Sequence, residues 1–350
     1  MRLSTSPTLP IAHGSKMVGY DKRRRGRIGR LTQGNVLAFF ALLVVGFFLV
    51  TFYVILPKLQ SDKSVSTENN GLPTLAFCRR RAEPLACAHG GDVNAAPSNS
   101  MAAFNAALRG GAECVEVDAS RAKDNVLVAV HARDLQRVLG NNSVQVEHFS
   151  SQEITQIDMG KRKDGHDRIP KVEDVVRHVS SKLKTVIVDV KIGPSDTTEP
   201  QEERLAGLVV DAVRRAGCQN CVAIGKADGV LTKIHEKSRR QRGLDEKYAL
   251  RVGLVAVNET EAHLRDNMHK PFRHATTEVL AAHFGMTDEA LVDEAHEKGK
   301  EVYSWTANQH WMMKKVLAAG TDAIITDQFK QVRSFIHDWR TKCADIKLEF

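Results

Sequence analysis

From Leu75 onward, short apolar runs alternate with amphipathic stretches. Leu85–Ala88, Ala112–Val117, Val126–Val130, Thr185–Val190, Cys221–Ile224, Val252–Val257, Val279–His283, Val302–Trp305 and Ala323–Ile325 are bounded by polar residues and read as strands. Between them, Ser100–Arg109, Leu205–Ala216, Asp288–Lys298 and Gln309–Ala319 carry apolar residues at helical spacing, and Gly110, Gly217, Gly299 and Gly320 follow as helix stops. Strand–helix alternation predicts a mostly parallel α/β sheet. The number of units between residues 75 and 340 fits a closed (β/α)8 TIM barrel better than an open doubly wound sheet. Nine runs for eight places means that one run is not a barrel strand. No G-x-G-x-x-G follows an early strand and no Walker loop occurs, so the nucleotide-binding classes recede.

The N-terminal part has a different pattern. Val36–Leu56 holds no charged residue, is apolar on every face, and is long enough to cross a hydrocarbon core, so a single transmembrane helix is expected before the barrel. The chain has a formal net charge of +8, but residues 1–35 hold eight Lys/Arg against one Asp, a net +7 that leaves only +1 elsewhere. A nucleic-acid interface needs basic charge spread over a folded surface, so no nucleic-acid partner is expected. The basic cluster before the apolar helix instead keeps the N-terminus cytosolic and puts the globular part on the lumenal or extracellular side. The expected organisation is a basic tail (1–35), an uncleaved anchor (36–56), a polar linker (57–74) and the barrel (75–340).

The six cysteines, Cys78, Cys87, Cys114, Cys218, Cys221 and Cys343, all follow the anchor, where disulfides could persist. Spacing alone leaves their pairing open, although Cys218 and Cys221 lack the second pair that a zinc site would need. Two glycosylation sequons, at Asn141 and Asn258, lie on the same side of the anchor.

Chemically capable side chains gather at the carboxyl ends of the predicted strands. His89 follows the first, Glu116 and Asp118 close the second, His131 the third, Asp189 and Lys191 the fourth, and Trp305 a late one. In a (β/α)8 barrel these ends surround one opening, so residues distant in sequence converge there. Glu116 and Asp118 are two apart on a strand and point to one face. Two such carboxylates repel unless a cation sits between them, and oxygen ligands suit Mg²⁺ or Ca²⁺.

These residues resemble the motifs of glycerophosphodiester phosphodiesterases across residues 85–330. Leu85–Gly91, with His89, is similar to that family's His-Arg-Gly strand, and Pro97-Ser98-Asn99-Ser100 to its Pro-Glu-Asn-Thr helix start. Glu116-Val-Asp118, Lys123-Asp124 and His131 follow the order E-x-D, K-D, H; Ile169-Pro170 with Glu173 precedes Asp189-Val-Lys191; and Trp305-Thr306-Ala-Asn308 and Ile325-Thr326-Asp327 are similar to its closing motifs. The resemblance implies a TIM barrel that hydrolyses glycerophosphodiesters to glycerol 3-phosphate and an alcohol. It further implies Glu116, Asp118 and Asp189 as ligands of a divalent metal, Mg²⁺ or Ca²⁺. His89 and His131 are then the general acid/base pair, Lys191 a phosphate contact and Trp305 a wall of the substrate cleft.

The departures from that pattern are specific. Gly90 stands where the family has Arg, Ser98 where it has Glu, Ala132 where it has Asp and Asp189 where it has Glu. Loss of an Arg removes charge-assisted contacts worth about 1.5–3 kcal/mol each. The adjacent loss of a Glu reads as removal of its counter-charge. Two other readings remain beside hydrolysis of glycerophosphodiesters: a lysophospholipase D-type enzyme acting on lysophospholipids at the membrane, and a catalytically impaired barrel that binds without turnover.

Overall fold

The computed structural model describes residues 73–80, 82–162, 165–240 and 250–345. The expected anchor at 36–56, its basic flank and residues 57–72 of the linker lie outside the described residues. None of the described helices is long and apolar enough to cross a membrane.

Eight parallel strands close on themselves: β1 (Leu85–His89), β2 (Cys114–Arg121), β6 (Thr185–Val190), β7 (Cys221–Gly225), β8 (Arg251–Ala256), β9 (Val279–His283), β10 (Glu301–Trp305) and β11 (Ala323–Thr326), with β1 pairing to both β2 and β11. This is the expected TIM barrel. Its strands are nearly continuous apolar runs because both of their faces are covered. Outward-facing Val115, Val117, Val186 and Val188 meet helices, including Phe104 on Met101–Arg109 and Leu205 on Glu199–Arg215. Inward-facing Cys87, Cys114, Ile187, Val222, Tyr303 and Ile325 fill the barrel with side chains and leave no channel.

The surplus run is Val126–Val130. Only Leu127–Val128 forms a strand, β3, and it pairs antiparallel with the far end of β2, while β4 (Asp158–Arg162) and β5 (Gly165–Arg168) pair antiparallel outside the barrel. A tight Asp124–Asn125 reversal folds β3 back, with Asn125 at φ 60°. Within the run, Val128 and Val130 serve a satellite core with Leu135, Ile154 and Ile169 under the mouth of the barrel. Periodicity cannot tell such a run from a barrel strand.

Helix ends match the capping signals closely. Ser100 and Asp288 accept hydrogen bonds from the first turns of their helices, and Gly217, Gly299 and Gly320 adopt left-handed φ after theirs. Gly110 does not. It keeps a helical φ of −76°, and the reversal falls on Gly111 at φ 72°.

All six cysteines are paired: Cys78–Cys343, Cys87–Cys114 and Cys218–Cys221. The second crosses β1 and β2 inside the barrel, one pleat below the register partners His89 and Glu116. Replacing both Cys87 and Cys114 by alanine should cost about 3.5 kcal/mol, the chain-entropy term for a loop of this length. Denaturant unfolding should show a lower midpoint, and an unchanged midpoint would mean that the strand ladder alone fixes this register.

Candidate active site

The pocket at the carboxyl ends of the strands is lined by His89, Glu116, His131, Asp189, Lys191 and Trp305, among others. Six of the seven site residues expected from sequence therefore border one cavity. The seventh, Asp118, lies beneath it at 3% exposure, with one ligand atom each of Glu116, Asp118 and Asp189 within 4.8 Å of one another.

Each side chain is held by its element. The β2 backbone aims Glu116 and Asp118 inward together, and the Gly90 amide donates to Glu116 Oε2 at 3.0 Å. Asn99 grips Asp118 twice, donating from Nδ2 to Oδ2 at 2.7 Å and accepting the Asp118 amide at 3.0 Å. To reach there Asn99 takes φ 63°, a left-handed conformation that asparagine tolerates better than most residues. Lys191 Nζ lies 2.7 Å from Asp118 Oδ1 and also bonds Asp189. Trp305 is pinned by its Nε1, which donates to Ala281 O at 2.9 Å.

Charge is the dominant constraint. Burial and the neighbouring Asp118 push Glu116 up to about 8, whereas Asp118, which burial would raise, is drawn down to about 2 by Lys191 and His131. Burial opposes the charge on Lys191, but Asp118 and Asp189 override it and hold the ammonium protonated. Ionised together, the three carboxylates would outweigh the Lys191 ammonium in a buried space, and Glu116 is raised in response. Asp118 Oδ1, although buried, accepts no hydrogen bond in proper geometry among the described residues. The donor set is all oxygen, and its spacing spans a cation with bonds of about 2.0–2.6 Å. These residues fit a hard divalent metal.

The two histidines differ. His89 Nδ1 meets Asp327 Oδ1 at 2.8 Å; burial would lower its pKa, but that bond and the charges of Glu116 and Asp327 raise it to about 9. His131 is pulled down to about 4 by burial and by Lys191. It does not close a barrel strand, as β3 ends at Val128. Instead it N-caps the helix Ala132–Leu139, its Nδ1 accepting the Arg133 amide at 3.2 Å.

Sequence reasoning gave no role to Asp327, Asn99 or Asn308. Asn308 donates to Asp327 Oδ2 at 2.6 Å and so fixes the carboxylate that holds His89. The signal was present, since all three stand inside quoted motifs, but their partners are remote in sequence. Arg133 and Lys226, which also border the pocket, were missed because neither belongs to any motif.

The replaced positions 90 and 98 turn out to be neighbours. A Cβ built on Gly90 would fall 2.0 Å from Ser98 Oγ, and Gly90 O accepts the Asn99 amide at 2.8 Å.

A glycerophosphoryl diester phosphodiesterase family model matches residues 89–331. The glycerophosphodiester phosphodiesterase GDPD4 of Arabidopsis thaliana is 33% identical over 265 residues, covering 75% of this chain and 76% of that protein. The human lysophospholipase D GDPD1 is 22% identical over 338 residues, 86% of this chain and 98% of its own. A phosphodiesterase of Oleispira antarctica, solved in complex with the product sn-glycerol-3-phosphate, superposes with a TM-score of 0.58 at 20% identity, over 73% of this chain and 97% of that one, a likeness of fold. The chain belongs to the glycerophosphoryl diester phosphodiesterase family.

Because Gly90 sits at φ 63°, Gly90→Ala should lose about 1–2 kcal/mol from the left-handed backbone, and more from displacement of Ser98. Adding Ser98→Gly should recover only the steric part. Thermal unfolding of the two variants separates these contributions, and a loss below about 0.5 kcal/mol in Gly90→Ala would show that the turn relaxes freely.

Proposed function

We propose that this chain, a glycerophosphodiester phosphodiesterase by family, hydrolyses glycerophosphodiesters to glycerol 3-phosphate and an alcohol with a divalent metal held by Glu116, Asp118 and Asp189. The observation that carries this reading is the buried all-oxygen cluster beside two histidines of opposite protonation. When bound, the metal would supply Lewis-acid stabilisation of the phosphoryl oxygens. Lys191 contributes positive charge beside the same oxygens, and Trp305 presents a fixed aromatic wall to the glycerol or alcohol.

His89 keeps its proton at neutral pH and is oriented by Asp327, which suits it to protonate the departing alkoxide. His131 is neutral and suits acceptance of a proton from the attacking hydroxyl. With Nδ1 accepting the Arg133 amide, the neutral ring carries its proton on Nε2, so the base role asks the ring to give up that long contact. The Asp189 carboxylate, one methylene shorter than the family's Glu, keeps the charge that the cluster needs.

A second reading, hydrolysis of lysophospholipids, is favoured by aromatic surface near the mouth. His283 packs edge-on against Trp305, Phe284 lies edge-on to Trp311 at 5.7 Å, and Trp311 is 56% exposed, a place where an acyl chain could lie. Purified full-length protein should release glycerol 3-phosphate from glycerophosphocholine, and EDTA should abolish the release. His89→Ala should lower kcat by about 10²–10⁴-fold. Faster turnover of lysophosphatidylcholine would favour the lipid reading. Activity that survives chelation would sink the metal role, and loss of all turnover with intact Mg²⁺ or Ca²⁺ binding would favour a barrel that only binds.

We further propose that Val36–Leu56 anchors the chain with its N-terminus cytosolic and the barrel lumenal or extracellular. Complete pairing of the six cysteines supports an oxidising compartment, and both sequon asparagines are exposed. Endoglycosidase treatment of protein expressed in a eukaryotic cell should increase its gel mobility, and Asn141→Gln with Asn258→Gln should remove that shift. Full protease sensitivity of the barrel from the cytosolic side of sealed microsomes would reverse the topology.

A further inference from the structure

The floor of the pocket is charged and occupied. Lys191 is engaged by Asp118 and Asp189, and His89 by Asp327. Higher on the wall stand two cations without such partners. Lys226 directly follows β7 and is exposed; its Nζ lies over the Trp305 ring at 5.7 Å. Arg133, in the first turn of the helix that His131 caps, is exposed too. Both line the same cavity as the histidines. Among the described residues, neither forms an ion pair or donates a side-chain hydrogen bond.

Asp189 and Glu259 offset part of the charge on Lys226, but no carboxylate among the described residues pairs with either side chain, Lys226 and Arg133 repel each other, and an anion between them would relieve that repulsion. The geometry also separates rim from floor. Hydrolysis needs the phosphodiester at the floor, next to His89 and the carboxylates, so the rim faces whatever projects outward from the bond that breaks. The turn at Gly90 offers no side chain to compete for that group, and the Trp305 face below Lys226 gives a ring or polyol a surface to lie on.

We propose that Lys226 and Arg133 form a cationic rim that selects diesters whose projecting alcohol bears an additional negative charge, a phosphorylated head group, over neutral or cationic ones. The rim is a specificity element and takes no part in proton transfer. It disfavours a quaternary ammonium by the same charges.

The inference rests on the phosphodiesterase reading of this pocket, and the test separates the two. Glycerophosphoinositol and glycerophosphoinositol 4-phosphate differ by one phosphate on the head group. With full-length protein, kcat/KM should favour the phosphorylated substrate by about tenfold at low salt, and the preference should shrink as NaCl is raised. Lys226→Ala with Arg133→Ala should bring the ratio close to one, while Lys226→Arg should keep most of it. The ratio is read within each variant, so a general loss of activity cancels, and the salt series on the unaltered protein needs no variant at all.

Calorimetric titration of the chelated protein with inositol 1-phosphate and inositol 1,4-bisphosphate reads the same preference without turnover. Charge-dependent binding with no hydrolysis of either diester would overturn the phosphodiesterase reading and leave the rim standing. Hydrolysis with a ratio near one in the unaltered protein would overturn the rim. Equal losses on both substrates in the double variant would overturn it too, since they would assign Lys226 and Arg133 to the diester phosphate itself.

Discussion

Three carboxylates share the buried floor of this barrel with a single ammonium, and most of the local structure serves that imbalance. Asp118 is kept ionised by Lys191 and clamped by Asn99, which accepts a left-handed backbone to do so. Glu116, with less help, is pushed up to about 8, so in the absence of a cation it holds a proton through neutral pH. The same negative field keeps His89 charged, and Asp327 and Asn308 fix its ring. Asp118 Oδ1 is met only by the Lys191 ammonium at 2.7 Å, outside good hydrogen-bond geometry, which leaves room for a further positive partner. The divalent cation proposed for this site would be that partner, replacing a repulsion among oxygens with shared coordination.

Against that floor, the exchange of Arg for Gly at position 90 is a local event with a local counterpart. Positions 90 and 98 are in contact, so a glycine that removes a guanidinium and a serine that removes a carboxylate act on one small volume. Losing both leaves the backbone contacts of the turn intact, the Gly90 amide to Glu116 and Gly90 O from Asn99. The carboxylate cluster is therefore insulated from the exchange. If the proposed rim holds, the positive charge offered to a bound anion lies there, at Lys226 and Arg133, rather than on β1.

The sequence displayed the barrel well because its strands are buried on both faces. Thr185–Val190 and Val279–His283 appear with the same ends in both readings, since each is an apolar run cut off sharply by polar residues. Val126–Val130 misled for the same reason: it is equally apolar, but its burial is split, Val128 and Val130 in a satellite core and Leu127 and Ala129 against the outer face of the barrel. His131 consequently reaches the pocket from a helix cap. The convergence of the expected site residues could be read from strand ends and motif order together. The disulfide pairs could not, because Cys78 and Cys343 are 265 residues apart and meet only when the helices Leu75–Arg79 and Phe329–Asp345 pack. Asp327 was visible as part of a motif, yet its task depends on β11 lying beside β1, a fact of closure that no local pattern carries.

Lys226 and Arg133 were hidden for a deeper reason. A motif records residues that the chemistry of bond breaking holds in place, and these two stand outside that chemistry. In a barrel the strands fix where the reacting atoms sit, while the residues just past each strand end are free to vary around them. Lys226 follows β7 by one residue and Arg133 follows His131 by two, so each can change without disturbing a carboxylate, a histidine or a strand pair. The constraint that holds the floor rigid is thus what leaves the rim adjustable. On the proposed reading, the alcohol that this chain accepts is set there, by side chains that meet the charge projecting toward them.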